Sequence, residues 1–258
     1  MRHISIGSRL PYFISRRLFG ARREFGPVPR EDDPCWQEWT RTACLAFYEA
    51  TQKRSVGKVV NDAGYRILQR VALEGRKVLE IGPGHISHMP FWRGRPREFT
   101  IADINEAMLD ESTRKLHAQG VSVTPVLLSR KDLPRLPFGD GAFDIVLSFY
   151  SLEHLYPLAS YLAEILRCLG RGGLLVGAIP TEGGLVWGLG RYVTSRRWLL
   201  RNTAINPDKI ICWEHPTFAE EILATIQSKM RTIKLGFYPF LLPVLDVNLL
   251  VTFVFEKP

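Results

Sequence analysis

The sequence predicts an α/β protein built on a doubly wound, mostly parallel sheet. Two observations carry this. From Lys77 onward, short runs rich in Val, Ile and Leu alternate with helical stretches, the pattern of strands covered on both faces. The chain has 258 residues, 46% apolar and 23% charged, which suits one large globular domain with room for a lid rather than a disordered chain.

The N-terminal region differs from the rest. Residues 1–30 hold seven Arg and one acid, Glu24, and so carry +6 of the formal net charge of +8. The remainder is nearly neutral, which counts against a nucleic-acid binder with a basic stripe on its folded domain. The leader Met1–Arg23 has no acid and mixes Arg with Ile4, Ile6, Leu10, Phe13, Ile14, Leu18 and Phe19. Three readings stay open: a targeting peptide, a peripheral contact of residues 1–23 with an anionic membrane, or a basic tail. Pro11 interrupts any long amphipathic helix. The four Cys (Cys35, Cys44, Cys168, Cys212) have no metal-ligand spacing, so a cytoplasmic, reducing setting and no metal are expected. No run of about 18 apolar residues appears, so no spanning helix is expected.

Asp33-Pro34 supplies an N-cap followed by proline at the first helical position. Trp36, Trp39, Ala43, Phe47 and Tyr48 then recur at helical spacing, and Thr51–Arg54 reads as a polar link. A second helix is expected from Val59 to Val71. Strands are expected at Lys77–Ile81, Phe99–Ala102, Val121–Leu128, Asp144–Phe149 and Gly173–Ile179, and helices at Glu106–Ala118 and Leu158–Leu169. Thr232–Phe237 and Asn248–Glu256 add a final strand pair, which makes seven strands. Residues 1–76 form a leader and helical cap, residues 77–258 the core, and about 180–215 a lid inserted into it.

In such sheets a ligand sits at the carboxyl ends of the strands. After the first strand comes Glu80-Ile81-Gly82-Pro83-Gly84-His85. Its glycines permit a tight turn and close backbone approach, and the following helix is expected to aim its N-terminal N–H groups at an anion. The third glycine of a dinucleotide fingerprint is replaced by Ser87, which counts against a nicotinamide-dependent oxidoreductase. Asp103 ends the second strand, where an acid can accept ribose hydroxyls. It could also cap the next helix, as could Asn105. Asp132-Leu133-Pro134, Asp140-Gly141-Ala142-Phe143-Asp144, Leu152-Glu153-His154 and Gly170-Arg171-Gly172-Gly173 follow in order.

This series resembles the class I S-adenosylmethionine-dependent methyltransferases of the type that includes quinone-biosynthesis enzymes, and the likeness covers residues 77–180. It implies a Rossmann-like, seven-stranded sheet with an antiparallel last strand. It also implies S-adenosyl-L-methionine as cofactor, with S-adenosyl-L-homocysteine as product. By this resemblance Glu80, Gly82, Pro83 and Gly84 line the methionine part, Asp103 holds the ribose and Ile104 packs on the adenine. Asp132 accepts from the adenine amino group, Leu133 offers a backbone N–H, and Ser148 and Phe149 border the sulfonium. Ile86 stands where the family has a further glycine. The gap from Glu80 to Asp103 is long, with a loop expected around Trp92–Arg97.

In the family, added segments bind the acceptor. The lid mixes Trp and Arg, suited to a partly apolar, partly anionic acceptor or simply to packing. A small-molecule or lipid- or sugar-linked acceptor is expected, methylated on oxygen first, with carbon and nitrogen close behind and nucleic acid disfavoured. His154, His215 and Glu153 are the candidate catalytic groups, and capping or shaping of the site is the competing reading. A non-catalytic cofactor-binding scaffold and an RNA methyltransferase are the alternatives. The sequence sets no oligomeric state.

Overall fold

The computed structural model describes residues 4–44, 46–47 and 56–258. The expected contribution of Tyr48 and the link Thr51–Arg54 lie outside them. The core is a seven-stranded sheet in the order β3-β2-β1-β4-β5-β7-β6. Its strands are β1 (Lys77–Ile81), β2 (Glu98–Asp103), β3 (Val123–Leu127), β4 (Phe143–Phe149), β5 (Leu169–Pro180), β6 (Arg231–Tyr238) and β7 (Leu250–Glu256). Pairing is parallel from β3 through β5, and β7 is antiparallel to both β5 and β6. This is the expected Rossmann-like arrangement with one reversed strand. The chain reverses direction between β1 and β4, the switch point where such sheets open a crevice at their carboxyl edge.

The helices follow from capping and periodicity. Short helices α1 (Tyr12–Phe19), α2 (Arg22–Phe25) and α3 (Pro34–Glu38) lead in, with the Asp33 side chain capping α3 at the Cys35 N–H. Helix α4 (Val56–Tyr65) runs into a 3₁₀ turn, Arg66–Arg70, so the expected helix starts earlier and tightens before its end. Helix α5 (Glu106–Ala118) is capped by Asn105, which accepts from the Met108 N–H, and buries Leu109 and Leu116. Helix α6 (Leu158–Cys168) precedes β5. The lid is helical: α7 (Leu185–Val193), α8 (Ser195–Asn202) and α9 (Pro207–Glu214), followed by α10 (Ala219–Gln227).

Two apolar clusters cover the two faces of the sheet. One joins Leu79, Val146, Leu162, Ile165, Ile222 and Phe253, and the other Leu68, Val78, Ile101, Leu116, Ile145 and Val176. A third holds the N-terminal cap to the lid, with Trp39 and Ala43 against Leu199, Ile210 and Trp213. Trp213 is therefore packing, and the Trp39 indole donates to Glu214 at 2.6 Å. The described part of the leader, from Ile4 on, is folded too. Leu18 and Phe19 are buried, and Arg22 donates to the carbonyls of His215 and Pro216.

One expectation is overturned. No α-helix follows Gly84. Between β1 and β2 there is only a 3₁₀ turn, Met89–Phe91. Residues 85–97 carry two prolines and two histidines, and His88 is buried while Ser87, Arg93, Arg95 and Arg97 stay exposed. No helix N-terminus thus faces the Gly82–Gly84 loop from this segment.

Among the described residues no helix is long and apolar enough to cross a membrane. The four cysteines are free thiols.

Candidate active site

The carboxyl ends of β1, β2 and β4 converge. At the end of β1, Gly82 and Gly84 have φ of 66° and 52°, a region that glycine adopts without strain. A Cβ at Gly82 would lie 2.8 Å from Ser151, whereas at Gly84 it would meet nothing within 4 Å. The backbone at Gly84 thus borders open space, and Pro83 is buried between them. The Gly84 carbonyl is fixed from behind by the Ser112 hydroxyl at 2.6 Å.

Asp103 ends β2, half-buried beside this opening. Its carboxylate accepts the Asn105 N–H at 2.9 Å. Burial raises its pKa above the usual range, although the N–H groups of Asn105, Ile104 and Gly84 oppose this. Desolvation of this kind leaves a carboxylate able to gain from incoming hydroxyl donors. Ile104 stands exposed next to it, an apolar platform on the surface. Asp132 is exposed and Leu133 half-buried, on the loop after β3. An open glycine loop, a desolvated acid and an exposed apolar side chain fit a nucleoside bearing an amino-acid tail.

Other expected cofactor contacts are placed differently. Glu80 is buried, and the His88 Nε2 lies 2.9 and 3.0 Å from its two oxygens. Trp92 Nε1 donates to His88 Nδ1 at 2.8 Å. An indole N–H can only donate, so Nδ1 accepts and the His88 proton sits on Nε2, pointing at Glu80. The segment that lacks a helix is thus pinned by a Trp92–His88–Glu80 chain. Ser148 is buried; its hydroxyl meets that of Ser151 at 2.5 Å, and Ser151 donates to the Ile81 carbonyl. Phe149 packs against Tyr65 and His88. The Ser148 and Phe149 side chains therefore brace the loops from buried positions.

The candidate catalytic groups come together from separate elements. Glu153 and His154 follow β4, and His215 ends α9. One ligand atom from each lies within 4.8 Å of the others. These are the described residues that could hold a cation, although tetrahedral zinc would need donors about 3.3 Å apart, given Zn–N bonds of about 2 Å. His154 Nδ1 lies 2.5 Å from the Glu214 carbonyl. A carbonyl only accepts, so Nδ1 carries a proton and, in the neutral ring, Nε2 is the nitrogen with the lone pair. The His154 side chain is 41% exposed.

His215 is different. Its Nδ1 sits 2.9 Å from both Glu182 Oε2 and Arg191 Nη2. Burial, then Arg191, pushes its pKa down to about 3, so the ring is neutral near pH 7. Burial would raise Glu182, but Arg191, His215 and Arg22 outweigh it and hold it at about 2. Arg191 forms a two-point ion pair with Glu182, and the Trp187 indole donates to the same carboxylate. Glu153 lies fully buried, Oε2 meets no partner, and burial raises its pKa to about 7.

Neither the Glu182–Arg191 pair nor the His88 contact is anticipated from sequence. The first has a weak signal, an acid and an Arg nine residues apart on either side of a helix start. The second has none, because Glu80 and His88 meet only through the shape of a loop.

A Rossmann-like sheet with a glycine loop after β1 and a half-buried acid at the end of β2 is the arrangement expected of a nucleotide-like cofactor site. Residues 79–177 match the family model described as a methyltransferase domain. Residues 79–177 thus form a domain similar to the class I S-adenosylmethionine-dependent methyltransferases. The chain is 32% identical over 115 residues to phthiotriol/phenolphthiotriol dimycocerosates methyltransferase 1 of Mycobacterium ulcerans, covering 43% of this chain and 40% of that one. It is 36% identical over 112 residues to the ubiquinone/menaquinone biosynthesis C-methyltransferase UbiE of Cupriavidus metallidurans, covering 42% and 45%. The match thus spans less than half the length of these curated relatives. The N-methyltransferase NodS from Bradyrhizobium japonicum, solved with S-adenosyl-L-homocysteine, shares the fold at TM-score 0.56 and 14% identity, over 88% of this chain and all of that one.

Proposed function

We propose that the protein transfers the methyl group of S-adenosylmethionine to a hydroxyl oxygen of a small, lipid- or sugar-linked metabolite. The observation that carries this is His154, a partly exposed imidazole whose Nδ1 is taken by the Glu214 carbonyl, three residues after the Ser151 that packs against Gly82.

When bound, the cofactor supplies an activated methyl group on a sulfonium. Gly82 and Gly84 give it close backbone approach, Asp103 accepts its ribose hydroxyls, Ile104 supports the adenine, and Asp132 with Leu133 holds the ring edge. Glu80, fixed by His88, faces the methionine part, with the backbone of Ser148 and Phe149 alongside. His154 Nε2 takes the proton of the acceptor hydroxyl, which is general-base catalysis. His215, neutral and tied to Glu182, is a positioning residue that keeps the ring wall in place. Glu153, without a partner at Oε2, holds or receives a proton near neutrality. The names of the relatives, one acting on a complex lipid and one on a quinone carbon, support a lipid-like acceptor and make carbon the competing atom. The basic leader supports contact with an anionic membrane surface. The free cysteines support a reducing, cytoplasmic setting. The near-neutral core disfavours an RNA acceptor.

Calorimetry with S-adenosyl-L-homocysteine is the first test, and no binding would sink the reading. His154→Ala should keep cofactor affinity while lowering turnover by about 10²–10⁴-fold at neutral pH. Unchanged turnover would remove the base role. Binding without turnover on any extract would favour the scaffold alternative.

A further inference from the structure

The leader and the lid share a surface that the cofactor chemistry does not use. Helix α1 buries Leu18 and Phe19 against α7, where Gly188 is indispensable, since a Cβ there would lie 2.6 Å from the Phe19 ring. The other flank of α1 is exposed. Phe13 is 70% exposed, and Ile14 stands beside it. Across the seam, α7 turns Leu189 outward at 54% exposure, with Tyr192 one turn on. Between the helices runs a groove of about 390 Å³ lined by Phe13, Ile14, Arg17, Leu18, Leu189 and Tyr192. Single exposed apolar residues are ordinary, but a contiguous apolar face on two neighbouring helices is not.

The charge on and near this face is mostly basic, with Glu24 the exception. Arg16 and Arg17 occupy the last turn of α1, whose first turn has no acid. Exposed Arg197 and Arg201 lie on α8, next along the chain from α7. Glu24 is the one acid in the first 30 residues, 3.6 Å from Arg16. A helix with apolar side chains outward and Arg at its flanks suits the plane of an anionic bilayer, where rings enter the acyl boundary and guanidinium groups meet phosphates. A second copy of the chain would bring the same Arg cluster against itself across a two-fold axis, an unfavourable pairing.

We propose that α1 and α7 together form a docking face for an anionic lipid bilayer. Helix α7 then serves two sides. Its outer face carries Leu189 and Tyr192, while Trp187 and Arg191 grip Glu182, which holds His215 beside His154. An acceptor anchored in the membrane would reach the site from the bilayer side. That last step rests on the proposed methyl transfer; the docking does not.

The test is vesicle flotation of the full chain, with S-adenosyl-L-homocysteine affinity measured on the same samples. The probes are pure phosphatidylcholine vesicles and vesicles with about 30% phosphatidylglycerol. Binding should appear with phosphatidylglycerol only and weaken at ~0.5 M NaCl. Phe13→Asp with Leu189→Asp, and separately Arg16→Glu with Arg17→Glu, should each lower partitioning by at least about tenfold without changing cofactor affinity. The second pair leaves the apolar packing untouched, so it remains informative if the first pair impairs folding. The proposal is overturned if the wild type does not float, if it floats equally on both vesicles, or if both pairs bind like wild type. It is also overturned if light scattering shows a dimer that Phe13→Asp dissolves. Loss of cofactor binding with flotation intact would count against the methyl-transfer reading alone.

Discussion

Two buried carboxylates organise the elements around the candidate site, and they do so by different physics. Glu80, on β1, is met by one imidazole whose other nitrogen accepts from Trp92. Glu182, just after β5, is surrounded by Arg191, Trp187 and His215, with Arg22 at 3.7 Å. The first stiffens a short loop that has lost a helix. The second ties leader, lid and His215 into one unit, because a carboxylate taken out of water needs charge and donors from wherever the chain can bring them. The Glu80 end is thus held by local constraints, and the Glu182 end by long-range ones.

The largest effect that would break this comparison is Glu182→Ala. It leaves Arg191 and Arg22 buried without their counter-charge and should cost about 3–5 kcal/mol in chemical denaturation. A loss under about 1 kcal/mol would mean that the hub contributes little.

The pH dependence of stability should separate the groups by sign. Glu182 is held at about 2 against an ordinary 4.5, so its contribution is present above pH 4.5 and lost as pH falls toward 2. His215, at about 3 against 6.5, contributes above pH 6.5 and loses that contribution as pH falls toward 3. Glu153 runs the other way. Raised from 4.5 to about 7, it contributes below pH 4.5 and loses that contribution as pH rises through 7. Over pH 4.5–6.5 Glu153 and His215 act with opposite sign, so Glu153→Gln should leave the His215 contribution unopposed and make stability rise more steeply with pH there. An unchanged slope there would show that Glu153 titrates normally.

Smaller still is the Glu80 brace. His88→Ala strips the buried carboxylate of its donor and should cost about 1–3 kcal/mol, and Trp92→Phe about 1 kcal/mol. Cofactor affinity should fall with both, because the loop after β1 loosens. If Trp92→Phe matches Glu182→Ala in stability loss, the contrast between the two anchors is wrong.

The smallest stability effect is expected at Gly84. Gly84→Ala places a Cβ in open space at φ 52°, a strain of about 1 kcal/mol. Calorimetry should nevertheless show at least a roughly tenfold loss of S-adenosyl-L-homocysteine affinity, about 1.4 kcal/mol. Unaltered affinity would move the cofactor away from this loop.

Legibility in the sequence followed the range of the interactions. The strand ends, the Asn105 cap and the Gly82 and Gly84 turns could be read because they depend on residues a few positions apart. The missing helix after Gly84 could not, because the preference of residues 85–97 is decided by what Glu80 and Phe149 offer to His88. The leader read as a tail, a signal or a membrane patch. Its folded state depends on Phe19 meeting Gly188 and on Arg22 reaching the His215 and Pro216 carbonyls. His154 and His215 read as equivalent base candidates, and only their neighbours separate them.

By itself the sequence determined the alternation of strands and helices, the turn that only glycine makes easily and the place of an acid at the end of β2. Those are set by backbone sterics and hydrophobic periodicity, which act locally. The tertiary structure decided which histidine keeps a free lone pair, which carboxylate becomes an ionic hub and which face of the leader stays bare. Those outcomes depend on burial and on partners up to two hundred residues away, and desolvation is a property of the assembled fold.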